Sequence, residues 1–126
     1  VDATEPVVRH AEAGPWTSAE RFGFPPGPEC VVYDDGSTIP GHLTILGRFP
    51  AGFVEPRHVH DDLDHWCVIV DGEMHVGDEV LAAGDYFYAP VGVPHGPLAY
   101  PVGCTVFVTV RGAGFVHDFA VDDPAS

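Results

Sequence analysis

The chain has 126 residues, with 19 acidic side chains against five arginines, and it contains no lysine, asparagine or glutamine. A formal charge of −14 leaves no surface able to neutralise phosphates, so nucleic acid and anionic membranes are not expected partners. The missing lysine also removes Schiff-base chemistry and a lysine-containing phosphate loop, whereas eight histidines outnumber all the other basic residues together.

Hydrophobic residues make up 45% of the chain, enough to fill a small core. No apolar run approaches the roughly 18 residues of a membrane span, and the first ten residues lack the layout of a secretion signal. The expected compartment is the cytoplasm. Cys30, Cys67 and Cys104 are odd in number and widely spaced, which fits small buried thiols better than a disulfide framework.

Residues 1–30 hold five of the 13 prolines and no sustained period, and read as an extended arm ahead of a single domain over 31–126. From there, short β-branched and aromatic runs recur between Gly, Pro and Asp turns: 30–33, 42–49, 65–70, 79–83, 86–90, 104–110 and 114–121. This rhythm predicts an all-β antiparallel sandwich or barrel. Asp71-Gly72 and Ala83-Gly84-Asp85 are the expected turns. In the run 65–70 both alternating sets are largely apolar, so its outer face is expected to be covered by the arm or by a second subunit, which predicts a homodimer.

The informative stretch is Gly52-x5-His58-x-His60-x4-His65-x6-Gly72, followed by Gly84-x5-Pro90-x-Gly92-x2-His95. Two residues apart on a strand, His58 and His60 would share a face. A turn through residues 61–64 would set His65 opposite them on the next strand, and the 90–94 turn would deliver His95 at the head of a later one. Four imidazoles would then converge between two sheets. Asp64 competes with His65 for the fourth position, but only residue 65 keeps the six-residue distance to Gly72.

These two segments resemble the paired motifs of the cupin superfamily, in which Gly-x5-His-x-His-x(3,4)-Glu-x6-Gly precedes Gly-x5-Pro-x-Gly-x2-His-x3-Asn. Two positions depart from that pattern: the usual glutamate is His65 here, and the closing asparagine is Ala99. The resemblance implies a jelly-roll barrel holding a divalent metal on His58, His60, His65 and His95. Zinc is the first choice, and iron, nickel and copper also suit imidazole. Four neutral imidazoles would leave the ion its full double charge and two of six positions open, a stronger Lewis acid than a shell containing glutamate.

The aromatic residues Phe49, Phe53, Phe87, Tyr88, Phe107, Phe115 and Phe119 suggest an apolar pocket lining. With its acidic, Pro/Gly-rich composition, the chain is similar to the small aromatic polyketide cyclases of the superfamily, in particular the resistomycin type. That likeness implies aldol ring closure of a poly-β-ketone in antibiotic biosynthesis, the substrate carried on an acyl carrier protein; on chemical grounds a metal-bound hydroxide would serve as base. The alternatives are a non-haem iron dioxygenase acting on a β-diketone, and a non-enzymatic metal-binding cupin. His10, His42, His75 and His117 read as structural or solvated, and Asp61, Asp62 and Asp64 as a solvated turn able to orient a ligand histidine. Tyr33, Arg48 and Arg57 are expected to flank the barrel mouth.

Overall fold

The computed structural model describes residues 4–112. Ten strands follow in chain order: β1 (Thr17–Ser18), β2 (Glu29–Asp34), β3 (His42–Phe49), β4 (Phe53–Glu55), β5 (Leu63–Gly72), β6 (Met74–Val76), β7 (Glu79–Leu81), β8 (Tyr86–Ala89), β9 (Leu98–Tyr100) and β10 (Cys104–Gly112). Two short 3-10 turns, Ala11–Ala13 and Ala19–Phe22, interrupt the N-terminal segment. No helix among the described residues is long and apolar enough to cross a membrane. The run expected at 114–121, with Phe115, His117 and Phe119, lies outside the described residues.

The strands form two antiparallel sheets, one ordered β1-β2-β3-β10-β5-β8 and the other β4-β9-β6-β7. This is the jelly-roll arrangement that the strand rhythm and the motif resemblance implied. β10 is the centre of the larger sheet, pairing Val110 with Leu43 on one side and with His65 on the other. Its β-branched residues fit a strand flanked on both edges. Along β3, Leu43 and Ile45 turn inward and are buried, while Thr44 and Leu46 on the alternate face are half-exposed. Each such fully buried aliphatic side chain stabilises the fold by roughly 1.5–3 kcal/mol.

The core divides into two clusters. One gathers Cys67, Ile69, Met74, Leu98, Tyr100, Cys104 and Val106 between the sheets. The other joins Ala19, Cys30, Leu43, Ile45, Leu63 and Val110, so part of the N-terminal segment is packed into the barrel. All three cysteines are free and buried. On β5 the inner residues His65, Cys67 and Ile69 are buried, but the outer Trp66 and Val68 are half-buried and Val70 is exposed. Tyr86, Tyr88 and Phe107 are also exposed, so Tyr88 and Phe107 line no interior pocket.

The turns divide between expectation and correction. Ala83-Gly84-Asp85 is a turn: Asp85 donates its amide to Ala82 O at 2.9 Å and its carboxylate accepts the Ala82 amide at 2.8 Å. Asp71-Gly72 is not a hairpin tip. β5 runs through it, and the chain leaves the larger sheet there to start β6 in the smaller one. Gly72 has φ 82°, and a Cβ on it would collide with the backbone of Gly103 and Cys104. Gly72→Ala should therefore cost roughly 2–4 kcal/mol in left-handed strain and overpacking. A thermal melt should show Tm lowered by on the order of 10 °C; an unchanged Tm would contradict this account.

Candidate metal centre

The four histidines of the motif are brought together. Each offers one ring nitrogen, and the four nitrogens lie within 4.8 Å of one another. His58, His60 and His65 are buried and His95 is half-buried. The ring centroids stand 4.2 to 6.5 Å apart. Donors about 2.1 Å from a common ion would be about 3.0–4.2 Å apart, so the spacing is close to that of a ligand set.

The route to this geometry differs from the expected strand. Pro56 has no amide hydrogen, so the ladder of β4 stops at Glu55. His58 and His60 instead follow on an extended segment, clipped to the second motif by a single bridge. His58 donates its amide to His95 O at 2.9 Å, and His95 returns a bond to His58 O at 2.8 Å. Gly92 adds a third, to His60 O at 2.7 Å. Gly96, with φ 98°, lets the strands of this clip approach, since a Cβ there would meet Arg57 Cα at 3.1 Å. His65 comes from β5, whose first residue is Leu63, so the expected four-residue turn is shorter and Asp64 belongs to the strand.

Ring orientation is set by backbone carbonyls rather than by the acidic turn. His58 Nδ1 donates to Pro56 O at 2.8 Å and His95 Nδ1 to Val93 O at 3.1 Å. A carbonyl only accepts, so both Nδ1 atoms carry hydrogen, and in the neutral rings it is Nε2 that presents the lone pair a metal ligand requires. Asp64 points the other way along the pleat and accepts from Arg111 Nη2 at 2.8 Å.

Burial, followed by the nearness of His95, lowers the His60 pKa to about 4. Burial, followed by His60, His95 and His58, lowers that of His65 to about 3. Both rings are therefore neutral at physiological pH. Uncharged buried imidazoles with adjacent nitrogens are the donor set of Zn, Ni, Cu or Fe, and these four residues can hold a divalent ion.

Two residues at the site were missed in the sequence. Glu55 is 2% exposed; its Oε1 accepts from the Tyr100 hydroxyl at 2.9 Å, and its Oε2 lies 3.3 Å from His58 Nε2. Burial raises the Glu55 carboxyl to about 7, the Tyr100 bond offsetting part of the rise. The same burial, with the adjacent Glu55, raises the Tyr100 hydroxyl well above its usual value. The available signal was an acidic residue inside an apolar segment immediately before the first histidine.

His65 and Glu55 line an apolar cavity with Phe49, Phe87 and Tyr100 in its wall. Its volume of about 40 Å³ holds about three waters. Phe53 packs at its margin against Tyr100, with centroids 6.3 Å apart. Of the residues expected at the mouth, Arg48 is tied to Glu29 at 2.8 Å and covers the Trp16 ring at 3.9 Å. Tyr33 packs on the outer surface against Phe107. His75 bonds Glu73 and His42 bonds Pro40 O, both away from the cluster.

A family model described as the ChrR Cupin-like domain matches residues 4–113. The chain belongs to this cupin-like family. Among solved structures, this cupin is similar to an RmlC-like cupin protein from Ralstonia eutropha, with TM-score 0.74 and 20% identity over 94% of this chain and 76% of that one. It is also similar to a putative acetylacetone dioxygenase from Methylibium petroleiphilum, with TM-score 0.71 and 17% identity over 100% and 90% of the two chains. A third likeness is to an acetylacetone dioxygenase from Acinetobacter johnsonii, with TM-score 0.67 and 18% identity over 94% and 87%. No curated protein sequence matches the chain. At these identities the likenesses establish the fold.

Two predictions follow from the cluster. His65→Ala should markedly lower zinc occupancy measured by elemental analysis, whereas Asp64→Ala should leave it near the parent's; the opposite pattern would place the fourth donor at 64. Acid should destabilise the metal-free protein. Below the usual 6.5 the unfolded chain takes up protons at His60 and His65 that the folded chain refuses until about 4 and 3. Glu55 acts oppositely between 4.5 and about 7, where only the folded chain holds its proton. The two histidines outweigh it, so Tm of chelator-treated protein should fall from pH 6.5 downward and most steeply below 4.5. A Tm rising over that window would contradict the neutral-imidazole assignment.

Proposed function

We propose that this cupin is a metal-dependent enzyme acting on enolisable β-dicarbonyl compounds, its reaction being the aldol ring closure of a poly-β-ketone. The observation that carries the reading is the convergence of four imidazoles, three of them buried, one of which, His65, also lines an apolar cavity. His58, His60, His65 and His95 would hold the ion, with zinc the first choice. A divalent ion bound there would act as a Lewis acid on carbonyl oxygens and acidify the CH2 group between them.

The chain's own residues supply the rest. The carbonyls of Pro56 and Val93 hold two imidazoles in the tautomer that offers Nε2 to a ligand. Phe87 and Tyr100 give the cavity a flat, dry wall suited to a planar oxygen-rich substrate, and its shape limits which carbon meets which carbonyl. A substrate delivered on an acyl carrier protein belongs to the same proposal.

A second reading is an iron-dependent dioxygenase of a small β-diketone. The cavity volume of about 40 Å³ favours it, since a long poly-β-ketone needs the barrel to open further. Turnover of a poly-β-ketone and of acetylacetone, under nitrogen and in air, on protein of measured metal content separates the two. Ring formation under nitrogen by zinc-loaded protein is the expected result. Iron content with turnover only in air would replace the cyclase with the dioxygenase.

A further inference from the structure

The position where the family pattern carries a glutamate is a histidine here, yet a carboxylate reaches the cluster from another strand. Glu55 closes β4, and its two oxygens face different groups. Oε1 is held by the Tyr100 hydroxyl at 2.9 Å, and Tyr100 is clamped by Phe49, whose ring stacks on it at 4.0 Å and 1°. The cross-strand register explains the pairing: Glu55 lies opposite Leu98, and Tyr100, two residues on, shares that face. The carboxyl plane is thus fixed, and Oε2 is aimed at His58 Nε2 across 3.3 Å.

That contact sets a buried carboxyl group against a candidate ligand nitrogen. His58 Nδ1 donates its hydrogen to Pro56 O, so in the neutral ring Nε2 turns its lone pair toward a carboxyl oxygen. Two such atoms this close and this deeply buried need a proton or another positive charge between them, and an ion held on Nε2 would take the place of that proton. An ion about 2.1 Å from Nε2 could be no farther than about 5.4 Å from Oε2, with little water between.

We propose that Glu55 is the anionic member of the metal centre, a carboxylate supplied from β4 that balances the charge of an ion held on His58. The proposal rests on the metal-binding reading above. Tyr100 is then a positioning residue, holding the carboxylate toward the ion.

The test is a titration of metal-stripped full-length protein against a chromophoric chelator, first with zinc alone. Glu55→Gln keeps the side-chain shape and the Tyr100 bond, and should lower zinc affinity 10- to 100-fold, with a smaller loss for Tyr100→Phe. Glu55→Asp keeps the charge and should bind zinc more tightly than Glu55→Gln; the reverse order would overturn the proposal. Repeating the titration with Cu(I) under reducing, anaerobic conditions separates charge balance from shape. A singly charged ion gains less from the carboxylate, so the loss in Glu55→Gln should be distinctly smaller. Equal losses for both ions, or unchanged zinc affinity in Glu55→Gln, would overturn the role of Glu55 while leaving the histidine site standing. A parent protein that binds neither ion would overturn both.

Discussion

The site depends on one short piece of backbone pairing. His58 and His95 exchange amide hydrogens across two irregular segments, and Gly92 reinforces them on His60. Three of the four imidazoles are located by these bonds rather than by a regular strand, and the fourth is brought in by β5. Crowding neutral imidazoles into a dry volume forgoes hydration for each ring. The clip holds them there because its backbone groups are satisfied within the pair, and the flanking Pro56 and Pro94 restrict the alternatives open to the chain.

Spacing made much of this legible. The x-apart pair His58 and His60, the distance from His65 to Gly72 and the Pro-x-Gly turn before His95 are local relations that survive in a linear sequence. The longer strands were equally plain, because β3, β5 and β10 carry runs of β-branched and other apolar residues. Short strands were not: β9 has three residues between Pro97 and Pro101, too few for a period to show. Glu55 and Tyr100 escaped for a different reason. Their contact joins residues 45 positions apart, and nothing local to either one announces it. Tyr88 and Phe107 illustrate the limit of composition, since aromatic content does not say which face of a strand a ring occupies.

Charge placement is the second theme. The chain carries −14 overall, yet the carboxylates nearest the cluster are used selectively. Asp64, adjacent in sequence to His65, faces away from the imidazoles and is buried beneath Arg111, which pairs with it. Glu55, three residues before His58, is turned inward. Alternation along a strand in one case and cross-strand register in the other decide which acid approaches the imidazoles, so sequence proximity to a ligand is a poor guide to electrical proximity.

The cavity wall joins two kinds of structure. His65, Phe87 and Tyr100 come from strands of the paired sheets, whereas Ala19, Phe22, Phe24 and Pro28 come from the N-terminal segment, the least regular part of the described chain. Chemistry and capacity are therefore encoded separately. Replacing Phe22 or Phe24 with smaller residues enlarges the chamber without disturbing a strand or an imidazole, so a lineage built on this scaffold can change the size of what it admits while its reactive centre stays constant.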